Sequence, residues 1–139
     1  MKIKLAEVKT RHRSLCLLGN KKLPIKLSYA IGKNIMKLQG EMEDIEKARI
    51  NLIQQYAEKE GDGTYKVVDG HYELGDNAEK FSDEYKEFLD TEQEIDIRTV
   101  PEEVVESMDD SRYDVLTVAE MIALEFMLEK PIEQAEPEV

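Results

Sequence analysis

The sequence lacks any apolar run long enough to cross a membrane. Its longest stretch of apolar side chains covers residues 15–18, whereas a transmembrane helix needs roughly 20 such residues. Residues 1–4 include two lysines and do not begin an apolar segment of the kind that directs secretion. We therefore expect no contact with a membrane and a cytoplasmic location.

Cysteine and histidine are also scarce, which argues against several kinds of site. The chain has one cysteine and two histidines, too few for an internal disulfide or a set of zinc ligands. It contains no glycine-rich phosphate loop, nucleophile elbow or paired-histidine motif. Cys16 lies in the apolar run, and we expect it to be buried as a small hydrophobic side chain. We predict a protein with no catalytic residues, no cofactor and no metal.

Charge is abundant but unevenly distributed along the chain. The net charge is −12, yet residues 1–37 hold ten lysines and arginines against a single acid, Glu7. This asymmetry predicts that the basic head packs beside acidic segments of its own chain or of a sister subunit. Alternatively, it forms a surface for nucleic acid or for an acidic partner. Residues 1–28 contain no aromatic side chain, so we expect no base-stacking platform there.

A heptad pattern predicts one long helix over residues 24–59. Side chains at alternating spacings of four and three residues form its seam: Ile31, Ile35, Leu38, Met42, Ile45, Arg49, Leu52 and Tyr56. Such a narrow stripe requires a partner helix. Gly32 and Gly40 lie inside the segment and could mark a bend or a close helix contact. A second apolar stripe, at Met36, Ile50 and Ile53, indicates a further neighbour.

A β-hairpin over residues 64–74 follows, and a returning helix comes after it. The Asp69-Gly70 turn predicts that Val68 pairs with His71 and Val67 with Tyr72. Residues 78–94 then repeat the heptad spacing, which predicts a helix packed antiparallel against the long one. Its seam consists of Phe81, Tyr85, Phe88 and Glu92. We expect a coiled-coil arm with a β tip, in which Arg49 and Glu92 form an ion pair.

The remaining segments complete a mainly α fold with one β-hairpin, predicted as a single domain over residues 1–130. We expect a short extended segment at 1–4, an N-terminal helix at 5–18, an extended segment at 93–100 and a short helix at 101–108. Thr117 and Glu120 form a capping-box motif ahead of a last helix at 117–130. That helix is apolar on almost all sides, so we expect it to be buried or to pack against a partner. Residues 131–139 are acidic and contain two prolines, and we predict a disordered tail.

Five short segments carry a resemblance to a known family. They are Leu23-Pro24-Ile25-Lys26 with Tyr29, Ile31 and Asn34; Glu46-Lys47-Ala48-Arg49 with Leu52, Ile53, Tyr56, Glu58 and Lys59; Asp69-Gly70-His71-Tyr72; Glu92, Glu94, Ile95 and Ile97; and Leu116, Thr117 and Glu120. On these segments the chain resembles a family of small proteins of unknown function encoded by tailed phages and prophages of Gram-positive bacteria. The resemblance implies a phage gene that acts in the bacterial host cytoplasm. Small phage proteins of this kind include assembly chaperones and inhibitors of host or defence machinery.

These features favour a non-enzymatic interaction protein that binds a phage structural protein or a host or defence protein. It could also form a homo-oligomer. The candidate contact residues are Arg11, Arg13, Lys21 and Lys22 of the basic head, Asp69, Gly70 and His71 of the hairpin tip, and Met121 and Phe126 of the last helix. The alternative, less favoured, is a nucleic-acid-linked protein. It would bind DNA through the basic head, or its acidic remainder would mimic DNA and occupy a DNA-binding protein.

Overall fold

The computed structural model describes residues 1–108 and 111–130, and the tail predicted at 131–139 lies outside the described residues. The fold is mainly helical with small two-stranded sheets, which confirms the predicted fold class. The elements in chain order are β1 (Lys2–Lys4), α1 (Leu5–Leu18), α2 (Ile25–Tyr56), β2 (Val67–Val68), β3 (His71–Tyr72), α3 (Ala78–Leu89), β4 (Glu92–Glu94), β5 (Val100–Pro101), α4 (Glu103–Glu106), α5 (Val118–Leu124) and β6 (Leu128–Glu129). Short 3-10 turns at Gly75–Asn77 and Glu125–Met127 precede α3 and β6.

All the buried side chains among the described residues lie in one part of the molecule, which we call the body (residues 1–45, 90–108 and 111–130). The core combines side chains from β1, α1, the first half of α2, the extended segment after β4 and the end of α5: Ile3, Val8, Leu15, Leu18, Leu27, Ile31, Leu38, Ile95, Val100, Leu124 and Met127. Residues 39–94 are all described, and not one of them is buried. Hydrophobic stabilisation scales with the apolar area removed from water, so most of it resides in the body.

The rest of the chain forms a two-helix arm (residues 46–89). It consists of the second half of α2, the β2–β3 hairpin and α3, which runs back antiparallel to α2. Leu52, Tyr85 and Phe88 line the same small hollow between the two helices, and the Asn77 side-chain amide donates to the Tyr56 carbonyl oxygen at 3.2 Å. The seam is present, but its arm residues are only half-buried.

The long helix is continuous through both glycines and slightly shorter than predicted. Pro24 stands just before it in an extended conformation, with φ −53° and ψ 143°. The predicted end at Lys59 is wrong because Ala57 is extended. The Glu58 N–H then donates to the Glu73 carbonyl oxygen at 2.8 Å. The helix therefore ends three residues earlier than the heptad pattern predicts, and Glu58 already pairs with the hairpin.

The hairpin confirms the predicted register, with Val67 opposite Tyr72 and Val68 opposite His71. The two turn residues, Asp69 and Gly70, have φ values of 51° and 81°. A two-residue turn with both central φ values positive matches the twist of antiparallel strands. Local turn chemistry alone therefore determines this element.

The predicted Arg49–Glu92 ion pair is wrong. The returning helix, predicted to reach residue 94, ends at Leu89, and residues 92–94 form β4, which pairs antiparallel with β1. Glu92 lies opposite Lys4 in that pair, and cross-strand pairs of opposite charge are favourable. Arg49 instead donates to Glu46, one turn earlier on α2, at 2.9 Å.

The end of the described chain also differs from the single last helix predicted over residues 117–130. The predicted capping box is confirmed at Thr117 and Glu120, but α5 ends at Leu124 and β6 pairs in parallel with β5. Leu124 and Met127 are buried, whereas Ile122 is exposed. One side of this helix is thus buried within the chain and the other is exposed, so the alternative expectation that it packs against a partner stays a prediction. The short helix predicted at 101–108 is reduced to the four residues of α4.

Cys16 is exposed, which contradicts the predicted burial. The buried face of α1 contains Val8, Leu15 and Leu18. Cys16 follows Leu15 by one residue, and consecutive residues on a helix point about 100° apart. The Cys16 Sγ atom therefore lies outside the core, 3.8 Å from Nε2 of His12.

Candidate protein-binding surface

The basic head is largely engaged with the rest of the chain. Arg11 bonds to Glu7 at 3.2 Å, and its guanidinium carbon lies 4.5 Å from the centroid of the Phe126 ring. The Lys21 ammonium lies 2.8 Å from the Glu120 carboxylate and donates to the Val115 carbonyl oxygen at 3.1 Å. These contacts hold α1 and the following loop against α5 and its approach.

Other basic side chains of the N-terminal segment also face internal carboxylates. Lys2 and Lys4 lie opposite Glu94 and Glu92 in the β1–β4 pair, and Lys37 lies 3.1 Å from Asp96. Of the predicted head residues, Arg13 and Lys22 remain exposed. Among the described residues, three of the ten bases in residues 1–37 (Arg11, Lys21 and Lys37) form ion pairs with carboxylates of the same chain, so the predicted packing holds for part of this set.

The hairpin tip lies at the far end of the arm, apart from the basic head. Asp69, Gly70 and His71 are all exposed there. The turn is held from within by the Tyr65 and Tyr72 rings, which contact edge to face with centroids 5.5 Å apart. The predicted candidates therefore occupy two separate places, and the tip shares no contact with α5 or with the head.

A short stretch of α5 exposes three large apolar side chains, and we call it the C-terminal ridge (Val118, Met121 and Ile122). These side chains are 74%, 50% and 65% exposed, respectively. Their spacing of three and then one residue places them on one face of the helix. The ridge includes the predicted candidate Met121, while Phe126 is half-buried under Arg11.

The ridge is exposed because the opposite side of α5 is anchored. Leu124 and Met127 are fully buried. The Thr117 hydroxyl accepts from the Glu120 N–H at 3.2 Å, and Glu120 Oε1 accepts from the Thr117 N–H at 2.9 Å. Such a cap satisfies backbone donors at the first turn of a helix. Hydrogen bonds from the Lys21 ammonium and then from the Thr117 N–H lower the pKa of Glu120 below its ordinary value.

Two grooves flank the ridge. One is a cavity of about 390 Å³ bordered by α4 and by β6, and it includes Val105 and Leu128. The other, of about 320 Å³, lies between α1 and α5. Ile122 lines both of them. An amphipathic helix or an extended peptide can bind across such a side chain and place its own side chains in both grooves.

The first groove has an acidic rim. Glu102, Glu106 and Glu125 line it, against a single lysine, Lys130. Lys130 is itself 3.6 Å from Glu125. The rim therefore carries net negative charge and favours a ligand with basic residues beside its apolar ones.

A further hollow, of about 630 Å³, lies where the arm joins the body. Leu5, Met42 and Leu89 supply much of its apolar lining, and Glu46 and Arg49 form its ion pair. The Arg49 hydrogen bond lowers the pKa of Glu46, and burial raises the pKa of the neighbouring Tyr85 hydroxyl. Glu46 and Arg49 pair with each other. This hollow is therefore a weaker candidate for a binding site than the ridge, whose apolar side chains are exposed.

Sequence reasoning missed Val118 as a contact residue and included Ile122 only in the last helix, which the sequence predicts to be buried or to pack against a partner. The spacing of Val118, Met121 and Ile122 predicts an apolar face on the helix. The same spacing occurs on buried and on exposed faces, so it does not predict which of the two this face is. Val115 and Leu17, which are also exposed, gave no signal at all.

Residues 1–108 and 111–130 contain no helix that is sufficiently long and apolar to span a membrane. In the same residues no three histidine, cysteine or carboxylate side chains lie close enough together to hold a metal ion.

Comparison with known proteins yields no match to a protein family, to a curated protein or to a solved structure. The resemblance to small phage proteins therefore stays a prediction.

Proposed function

We propose that this chain is a non-enzymatic binding protein whose C-terminal ridge docks a segment of a partner protein. The observation that carries the proposal is the exposure of three large apolar side chains on a helix that is anchored at its cap and on its buried side. Complete burial of an aliphatic side chain contributes roughly 1.5–3 kcal/mol. The ridge can thus supply the apolar centre of an interface, where most binding energy concentrates.

The chemistry of the grooves specifies the partner segment. It presents two or three apolar side chains to Met121 and Ile122, and it carries lysine or arginine toward Glu102 and Glu106. An amphipathic helix with a basic flank meets both requirements. In the phage setting implied by the resemblance, such a partner is a structural protein awaiting assembly or a host or defence protein.

A protein partner is favoured over nucleic acid by the distribution of charge. Lys21 and Lys37 are engaged with carboxylates of the same chain, and the net charge of −12 repels phosphate. Binding of a DNA duplex that weakens steeply with added salt would support the nucleic-acid alternative instead.

Photo-crosslinking tests the proposal. A photoreactive amino acid at position 118 should capture a partner from a lysate of Gram-positive bacteria, while the same group at position 67, on the hairpin, should not. The captured protein is then purified and titrated against defined variants. Ile122→Glu should weaken its binding at least tenfold, since the ridge becomes charged, and Val67→Glu should leave it unchanged. Equal binding to wild type and Ile122→Glu, or loss with Val67→Glu alone, would overturn the proposal.

A further inference from the structure

The side of α2 that points away from the core carries four large apolar side chains, and Arg98 and Lys33 contact one of them, the Tyr29 ring, at 4.8 and 5.4 Å. We call this side the outer face (Ile25, Tyr29, Gly32, Met36, Gly40, Glu43, Lys47 and Ile50). Its members recur at spacings of three and four residues over 25 residues of helix, about 38 Å. Ile25 is 79% exposed and Met36 69% exposed. The face shares no residue with the C-terminal ridge.

No contact among the described residues accounts for Gly32 and Gly40. A Cβ atom built at either position meets no described atom within 4 Å, so neither glycine makes room for a neighbouring element of residues 1–108 or 111–130. Glycine is a poorer helix former than alanine. Glycine on an exposed helix face becomes useful where another helix approaches closely.

We propose that a second copy of this chain packs antiparallel on the outer face, with Met36 of one copy seated against Gly40 of the other. The same register then places Ile25 opposite Ile50, and Tyr29 opposite Lys47. Glu43 falls opposite Gly32, where the missing side chain leaves its carboxylate a route to solvent. One register thus matches large with small, apolar with apolar and ring with cation along the whole face.

Charge selects the antiparallel orientation and a second copy as the occupant. The first half of α2 carries Lys26, Lys33 and Lys37 and no acid, whereas its second half carries four acids and two bases. An antiparallel pair sets each basic half against an acidic half, with Lys33 beside Asp44 on both sides of the two-fold axis. A parallel pair would align like charges. Because the face points away from the core, the two bodies lie on opposite sides of the helix pair.

Sedimentation of the full chain tests the dimer. Wild type should sediment as a species of twice the 16.0 kDa monomer mass, and Met36→Glu should convert it to the monomer with unchanged helix content. Ile122→Glu, on the C-terminal ridge, should remain a dimer, which separates this proposal from the one above. A wild-type monomer at about 100 μM, well above the dissociation constants of specific pairs, would overturn the proposal.

Disulfide formation tests the register. In a Cys16→Ser background, the Ile25→Cys/Ile50→Cys double variant should form a covalent dimer on oxidation. The two positions are too far apart on one helix to bridge within a chain. Each single variant should stay uncrosslinked, whereas efficient crosslinking of a single variant would indicate a parallel pair and would sink the register.

Substitution at Gly40 separates association from folding. Gly40→Leu places a good helix former in open space, so it should raise the thermal stability of the monomer while it blocks Met36 of the partner and abolishes the dimer. Lys33→Asp should weaken association, and adding Asp44→Lys should restore it. A Gly40→Leu chain that still dimerises like wild type would contradict the proposal.

Discussion

Single residues decide how the extended segment after β4 is held on α2. Asn34 is fully buried, and its side chain contacts one backbone residue twice. It donates to the Arg98 carbonyl oxygen at 2.9 Å and accepts from the Arg98 N–H at 2.7 Å. The amide therefore replaces the strand partner that residue 98 lacks, and a buried polar side chain remains only when paired in this way.

Replacement of Asn34 should destabilise the body. Asn34→Leu keeps the branched shape of the side chain but leaves both backbone groups of Arg98 without this partner, which should cost about 2 kcal/mol or more in urea denaturation. Asn51→Leu, an exposed asparagine on the same helix, should change the free energy of unfolding by less than about 0.5 kcal/mol. Similar losses in the two variants would show that the Arg98 contacts carry no special weight.

The ion pair beneath α5 should make stability depend on pH. Hydrogen bonds from Lys21 and from the Thr117 N–H lower the pKa of Glu120 in the folded state. A lowered carboxyl pKa contributes stability above its ordinary value, and this stability is lost as the pH falls through the folded pKa. Glu120→Gln should therefore be less stable than wild type near pH 7, and the two denaturation midpoints should converge as the pH falls through the folded-state pKa of Glu120. Lys21→Met should show the same convergence. A gap that persists unchanged at low pH would contradict this assignment.

At the scale of elements, local chemistry was predictable and long-range pairing was not. The hairpin register and the capping box follow from neighbouring residues, and both are confirmed. The β1–β4 pair joins residues about 90 positions apart, and nothing near Glu92 in the sequence signals that partner. The heptad spacing therefore predicted that α3 continues to residue 94, whereas residues 92–94 form β4 and pair with β1.

The hairpin turn supports a matched pair of glycine substitutions. Gly70 has φ 81°, where an L side chain is strained, while Gly61 lies outside that region with open space around it. Gly70→Ala should lower stability by about 1 kcal/mol, and Gly61→Ala should be neutral or slightly stabilising. Thermal melts followed by circular dichroism would measure both. Equal effects at the two positions would show that the turn conformation is not under strain.

The exposed surfaces were the least predictable part of the candidate site. The spacing of apolar residues at three and four positions predicted α2 and the last helix, because this spacing is typical of a helix with one buried face. Which of two apolar stripes meets the core depends on the positions of all other elements. Met36 belongs to a stripe that the sequence predicts to meet a neighbour, yet its side chain is exposed, as is that of Val118.

The whole molecule divides unequally into a body with a core and an arm without buried residues. Regions with few buried apolar contacts open locally at lower free energy than a core does. Amide hydrogen exchange should therefore be at least tenfold faster across α3 than across Leu27 to Leu38 of α2. Mass spectrometry of peptic fragments would measure this difference. Equal protection in the two regions would show that the arm and the body unfold as one unit.

The arm leaves and re-enters the body at nearly the same place, since the Leu5 N–H donates to the Thr91 carbonyl oxygen at 3.0 Å just beyond α3. Its length is thus independent of the core. Removing one heptad from α2 and one from α3 would bring the hairpin about 10 Å closer to the body, while every remaining apolar side chain keeps its orientation. The length of such an arm can change in steps of seven residues per helix. In this protein, reach can change in evolution without any cost to the fold that anchors it.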